Sequence, residues 1–119
     1  MFVQATGADG NALGGIRHPL LAAPLATHVG WSLRASGYGE GELFTVQGSM
    51  MAFAQTEAER ERARDPRPSL EARYASRDAW AARLAEAVDR LVAERLLLAE
   101  DGDRLVAAAR ESWEVYHAL

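Results

Sequence analysis

The sequence contains no cysteine and no lysine. Without cysteine, the chain can form no disulfide, no thiolate metal site and no cysteine nucleophile. All 13 basic residues are arginine, and 17 acidic residues outnumber them, so the formal net charge is −4. Because this balance provides no basic field for a phosphate backbone, we predict no nucleic-acid partner.

Long apolar runs are also missing. The most apolar stretch, residues 19–31, is interrupted by Pro24 and His28 and is too short to cross a bilayer. Residues 1–4 lack the charged and apolar regions with which a secretory signal begins. We therefore predict no membrane partner, and a cytoplasmic location by default.

Glycine and proline divide the sequence near residue 55 into two parts. In residues 1–55, which hold most of the glycines, we predict an irregular, loop-rich half. Its segments 27–33 and 43–46 are rich in β-branched and aromatic residues, which predicts a short β-hairpin around the glycine-rich loop at 36–41. The following residues 50–53 are interpreted as a compact apolar patch.

Residues 56–119 carry helical signals, so the predicted fold class is mainly α. Thr56 and Glu59 have the spacing of a capping box, which predicts a short helix ending before Asp65-Pro66. Ser69 is predicted to cap another short turn. Residues 77–98 and 101–117 are predicted to form an antiparallel αα-hairpin, because apolar residues recur at helical steps. Those residues are Trp80, Leu84, Val88, Leu91 and Leu98 in the first helix, and Leu105, Ala109, Trp113 and Tyr116 in the second.

The predicted hairpin cannot cover its own apolar faces, so another part of the chain or a partner must cover the outer edges of its large aromatic residues. On the outside of the first helix, Glu86 and Arg90 have the spacing of a favourable ion pair.

A search for catalytic and metal motifs yields no site. A serine nucleophile on a strand-to-helix elbow needs Gly-x-Ser-x-Gly, and this pattern does not occur. Gly48-Ser49 is the nearest approach, but His18 and His28 precede it, whereas this type of hydrolase places its histidine last. His117 lies near the C-terminus and has no metal-ligand spacing to the other histidines. We predict no catalytic residue, no metal and no cofactor.

The order of several short blocks nevertheless closely resembles the C-terminal region of a family of large α/β-hydrolase domain proteins. The matching blocks are Asp9-Gly10-Asn11, Gly15-Ile16-Arg17, Pro24 to Thr27, Gly30 to Arg34, Gly48-Ser49, Phe53 to Thr56, Glu59-Arg60, Asp65-Pro66-Arg67, Ser69 to Tyr74 and Leu91 to Leu98. The sequence departs from the family at His28, where an aromatic hydroxyl is expected, and at Met50-Met51.

The resemblance implies hydrolase ancestry of an esterase-like kind. It also implies that the nucleophile elbow and the catalytic histidine lie upstream, so this chain is expected to be one partial domain, a C-terminal fragment that is inactive alone. Because the recognisable region begins close to Met1, a truncated reading frame is the expected origin. The expected partner is the missing hydrolase core, which Trp31 and Arg34 could contact. The alternative is a small non-catalytic interaction module that presents Trp80, Trp113 and Tyr116 to a partner or to a second copy.

Overall fold

The structure is a computed structural model that describes residues 4–117, with the side chains of residues 4–116. As predicted, this part of the chain is mainly helical and has a few short antiparallel strands. Its elements are α1 Pro19–Ala22, β1 Ala26–Val29, β2 Ser32–Leu33, β3 Leu43–Phe44, β4 Ser49–Ala52, α2 Glu57–Ala63, α3 Leu70–Arg73, α4 Arg77–Ala93 and α5 Ala99–His117. None of these helices is long and apolar enough to cross a membrane.

The four strands form two short antiparallel pairs, and we call the two pairs together the ribbon. β1 pairs with β4 in antiparallel register, with Val29 opposite Ser49, and β2 pairs with β3. The predicted pairing of 27–33 with 43–46 therefore occurs only between β2 and β3, because β1 pairs with β4. Residues 50–52, interpreted as part of an apolar patch, belong to β4, and Met50 and Met51 are 42% and 45% exposed. The patch prediction was wrong for these two methionines because successive strand residues point to opposite faces, so Met50 and Met51 cannot belong to one compact patch.

The turn into β4 depends on a close backbone approach at Gly48. A Cβ atom at this position would lie 2.6 Å from the backbone oxygen of Val29. A side chain cannot be accommodated against backbone at this distance, so glycine is needed where the ribbon closes.

Local caps start the short helices where the sequence predicts them. The Thr56 hydroxyl accepts from the Glu59 N–H at 3.2 Å, and the Glu59 carboxylate accepts from the Thr56 N–H at 3.3 Å, which completes the capping box. Ser69 caps α3 by accepting from the Ala72 N–H at 3.2 Å. Pro19 occupies the first turn of α1, where its missing N–H costs no helical hydrogen bond.

α4 ends at Ala93 and not at the predicted Leu98. The chain leaves the helix through Arg95, whose φ of 60° is left-handed, and the Leu96 N–H donates back to the Leu91 carbonyl at 2.9 Å. This is the Schellman type of helix end, which usually uses glycine at the left-handed position. Consequently Leu98 lies outside α4 and is exposed, and α5 begins at Ala99, two residues before the predicted start at 101.

α4 and α5 pack against each other in antiparallel directions. The Arg77 guanidinium, at the start of α4, forms an ion pair with Glu114 at 3.2 Å and donates to the Arg110 carbonyl at 2.7 Å. At the other end of the pair, a Cβ on Gly102 would lie 2.6 Å from a methyl group of Val88. The small residue therefore allows the two helices to approach closely.

The core lies where the N-terminal half meets α4 and α5. Trp80 is fully buried, its indole N–H donates to the Ala23 carbonyl at 3.0 Å, and its ring packs against Trp113 with centroids 5.1 Å apart. Tyr74 is buried beside it and donates to the Pro24 carbonyl at 3.0 Å. The N-terminal half thus covers aromatic residues of α4 and α5. From the sequence alone, either this half or a partner could have covered them.

Candidate functional site

The most extensive polar network of the described residues surrounds Arg67. Its guanidinium makes a two-pronged contact with Asp65, at 2.6 Å from Nη2 to Oδ2 and 2.9 Å from Nε to Oδ1. It also donates to the Thr27 hydroxyl at 2.8 Å and to the Met51 carbonyl at 2.9 Å. The Thr27 hydroxyl in turn donates to the Asp9 carbonyl. We call these five residues the Arg67 junction, because it joins the N-terminal loop, the ribbon and the segment before α3.

The Arg67 junction holds its charges in fixed pairs. The hydrogen bonds from Arg67 lower the pKa of the Asp65 carboxyl below its usual range, despite an opposing effect of burial. Asp65 is therefore ionised at neutral pH and cannot act as a general acid there. Since protein groups already occupy the hydrogen-bond donors of Arg67, this side chain stabilises the fold and is not placed to act in catalysis.

Phe53 lies between two guanidinium groups beside this junction. The central carbon of Arg73 is 4.0 Å from the ring centroid and that of Arg67 is 5.1 Å away. Burial lowers the pKa of Arg73, and its Nη2 atom is buried without a hydrogen-bond partner. Stacking on the aromatic face offsets part of the cost of removing this cation from water.

The side-chain amide of Asn11 closes one edge of the ribbon. Asn11 is fully buried, donates to the Ala26 carbonyl at 3.0 Å and accepts from the His28 N–H at 2.8 Å. Because successive residues of a strand turn their backbone groups to opposite sides, Ala26 and His28, which are two residues apart, both turn theirs away from β4. In the sequence Asn11 stood out only as part of a block that matches the family, and nothing local signals that its side chain is buried against β1.

Ser49 and His28 do not form a catalytic pair. Val29 lies opposite Ser49, and His28 lies opposite Met50. Because directly opposite residues of paired strands share a face and neighbours alternate, Ser49 and His28 point to opposite faces of the ribbon. Burial, followed by the nearby His18, lowers the pKa of His28. The His28 imidazole is therefore neutral at pH 7 and could accept a proton. It cannot accept one from Ser49, because the serine hydroxyl lies on the other face of the ribbon.

A second serine, Ser69, does contact a carboxylate. Its hydroxyl donates to Glu57 at 3.0 Å while it caps α3. Hydrogen bonds from Arg60 and then Ser69 lower the pKa of Glu57. A carboxylate that is stabilised in its charged form by arginine is a weak base, and no histidine takes part, so this contact ties α2 to α3 without activating a nucleophile.

Metal ligands are not grouped in the part of the chain with described side chains. No set of three histidine, aspartate or glutamate residues there could hold a metal ion. His117 belongs to α5, but its side chain lies outside the described ones.

The five residues predicted as interface candidates occupy different environments. Trp31 is 44% exposed on the ribbon. Arg34 is half-exposed, lies 4.0 Å from Glu42 and stacks over Phe44 with 5.0 Å to the ring centroid. Trp113 and Tyr116 are half-buried against the core, and Trp80 lies inside it. Trp80 is consequently not available to a partner in this structure, which corrects its assignment as an exposed contact.

Six of the twelve exposed large apolar side chains in the described residues lie along the ribbon. Its large apolar side chains are Trp31, Leu33, Leu43, Val46, Met50 and Met51, and we call this set the ribbon surface. Val46 is 86% exposed. The radius of gyration, 15.9 Å, exceeds the ~13.5 Å typical of a compact chain of this length, which agrees with a ribbon that adds little to the core.

A family model described as an alpha/beta hydrolase domain matches residues 3–107. No curated protein and no solved structure matches the chain significantly.

Proposed function

The chain belongs to the alpha/beta hydrolase domain family, and we propose that it forms the C-terminal segment of a larger hydrolase fold and is inactive on its own. Hydrolase ancestry follows from the family. The inactivity is supported by the opposite orientation of Ser49 and His28 across the ribbon. Acyl transfer by a serine needs its base within hydrogen-bonding distance, and the ribbon separates these two side chains.

We expect the purified chain to hydrolyse p-nitrophenyl acetate no faster than the variants Ser49→Ala and His28→Ala. The physical reason is that neither side chain has a partner that could activate it or stabilise an oxyanion. The measurement is the release of p-nitrophenol at pH 8, compared with the protein-free rate. Turnover that disappears in Ser49→Ala but persists in a matched Ser112→Ala control on α5 would reject the proposal.

The ribbon surface is the proposed contact with the upstream catalytic part. Several large apolar side chains along the ribbon are exposed, whereas the aromatic residues of α4 and α5 lie in the core or pack against it. Exposed apolar side chains that gather on one structural element favour an interaction site there. Its position on a ribbon that contributes little to the core makes the surface separable from folding, as a docking surface should be.

Fragment complementation tests this contact. A longer member of the family, truncated before the region that matches residue 3, is expected to bind the chain, and the double variant Leu43→Ser/Val46→Ser is expected to bind at least tenfold more weakly. The reason is the loss of roughly 2–3 kcal/mol from two apolar contacts. Binding is measured by titration calorimetry, with the exposed Leu98→Ser as the matched control outside the ribbon. Equal affinities for the double variant and the unsubstituted chain would refute ribbon docking.

The alternative of a non-catalytic module that docks through its helices has one observation in its favour, because the chain covers its own core in the way a stand-alone module must. However, Trp80 is inside that core and Trp113 packs on it, so the helical face proposed for docking is largely occupied. Sedimentation equilibrium tests this alternative. It is preferred if the chain forms a dimer and the double variant Leu43→Ser/Val46→Ser forms the same dimer.

A further inference from the structure

A pocket of about 350 Å³ lies between the loop at 15–17 and the C-terminal end of α4, away from the ribbon. Its large apolar lining residues are Ile16, Leu91 and Leu96, and its charged lining residues are Arg17, Arg90 and Glu94. The pocket thus combines an apolar wall with more positive than negative groups.

The apolar wall results from the way α4 ends. The hydrogen bond from the Leu96 N–H to the Leu91 carbonyl, at 2.9 Å, brings Leu96 back over the last turn of the helix. An apolar contact between these two positions is typical of this helix end. Leu96 remains 49% exposed and Ile16 66% exposed, so both side chains have apolar area that a ligand can cover.

The two arginines at the pocket retain free donors. The Nε of Arg17 donates to the Leu21 carbonyl at 3.1 Å, which fixes the side chain, and its two terminal amino groups have no hydrogen-bond partner within residues 4–116. Arg90 makes no ion pair among the described side chains, and the pair predicted with Glu86 is not formed. Guanidinium groups of this kind hold carboxylates through charge-assisted hydrogen bonds.

We propose that this pocket binds a small monocarboxylate with a short alkyl or aryl tail. The arginines would hold the carboxylate, and the wall of Ile16, Leu91 and Leu96 would cover the tail. A doubly charged anion is disfavoured because Glu94 also lines the pocket and the negative end of the α4 dipole is close. A neutral ligand would leave the two cations unused. The proposal does not depend on catalysis or on the ribbon surface.

The test is titration of the purified chain with hexanoate, followed by the amide and methyl NMR shifts of residues 16, 91 and 96. Hexanoate is expected to shift these signals with saturation, while acetate and hexanol at equal concentration bind at least fivefold more weakly. Arg90→Gln and Arg17→Gln are each expected to weaken binding by about tenfold or more, as loss of one charged hydrogen bond predicts. Arg62→Gln, on α2, is the matched control.

Glu94→Gln gives a result that general unfolding could not produce. Because it removes the only carboxylate of the pocket lining, hexanoate should bind about twofold to threefold more tightly. The proposal fails if acetate matches hexanoate, if Arg62→Gln weakens binding as much as Arg90→Gln, or if Glu94→Gln leaves the affinity unchanged. It also fails if the saturable shifts occur away from residues 16, 91 and 96.

Discussion

Replacing Trp80 by alanine is expected to lower the free energy of unfolding by about 3–5 kcal/mol, the usual cost of removing a large aromatic side chain from a core. Trp80 is fully buried, packs on Trp113 and donates to the Ala23 carbonyl. The substitution would therefore leave a cavity, an unpaired carbonyl and an uncovered ring together. Since small domains are stable by only about 5–15 kcal/mol, this loss is a large part of the total free energy of unfolding.

Urea denaturation followed by circular dichroism measures this loss without depending on tryptophan fluorescence. The matched control is Trp31→Ala, because Trp31 is 44% exposed on the ribbon. It should cost less than about 1 kcal/mol, as expected for a largely surface-exposed position. Similar losses for the two variants would contradict the placement of the core between the N-terminal half and the helices.

The second large effect is expected at the Arg67 junction. Replacing Arg67 by methionine keeps an apolar stem near Phe53 but removes the guanidinium, and should cost about 3 kcal/mol. The cost arises mainly because Asp65, whose side chain is only 14% exposed, would keep its charge without its guanidinium partner and with only the backbone N–H of residue 67 as a donor. The Thr27 hydroxyl and the Met51 carbonyl would each lose a hydrogen bond as well. Chemical denaturation at pH 7 measures the difference.

The pH dependence of stability provides an independent test of the same junction. The pKa of Asp65 is lowered in the folded chain, whereas an unfolded aspartate has a pKa near ~3.9. The stabilisation is therefore present above about pH 4 and is lost as the pH falls through the lower folded value. Arg67→Met should reduce this acid-side loss of stability.

The double variant Asp65→Asn/Arg67→Met distinguishes the charge effect from the packing effect. Because it removes the isolated carboxylate as well, it should be more stable than Arg67→Met at pH 7. If the double variant is less stable than the single one, or if all three proteins lose stability equally on acidification, Asp65 and Arg67 are not coupled as described.

The parts of the fold that the sequence predicted correctly depend on short-range chemistry. Thr56 with Glu59, and Ser69 with its N–H partner, are caps whose donor and acceptor lie three residues apart. The end of α4 was missed because Arg95, not glycine, takes the left-handed conformation there. A helical apolar period continues through Leu98 in the sequence, and nothing local shows that the chain has already left the helix.

Long-range contacts explain most of what could not be predicted for the candidate site. Arg67 and Thr27 are 40 residues apart, and Arg67 was visible only as part of a charged segment that also matched the family. Asn11 and Ala26 are 15 residues apart, and their contact requires the fold. Family membership was identified correctly from the order of short blocks, while the interface roles of Trp31 and Arg34 remain predictions.

The Asn11 amide has a consequence for self-assembly. A β-fibre grows only when every subunit offers two open strand edges, one to the copy above and one to the copy below. In this chain Asn11 already occupies the Ala26 carbonyl and the His28 N–H, so one of the two edges is closed from within. A copy that joined at β4 would end the stack and could not extend it. A single buried asparagine therefore blocks this edge of β1 against pairing with a strand of another copy.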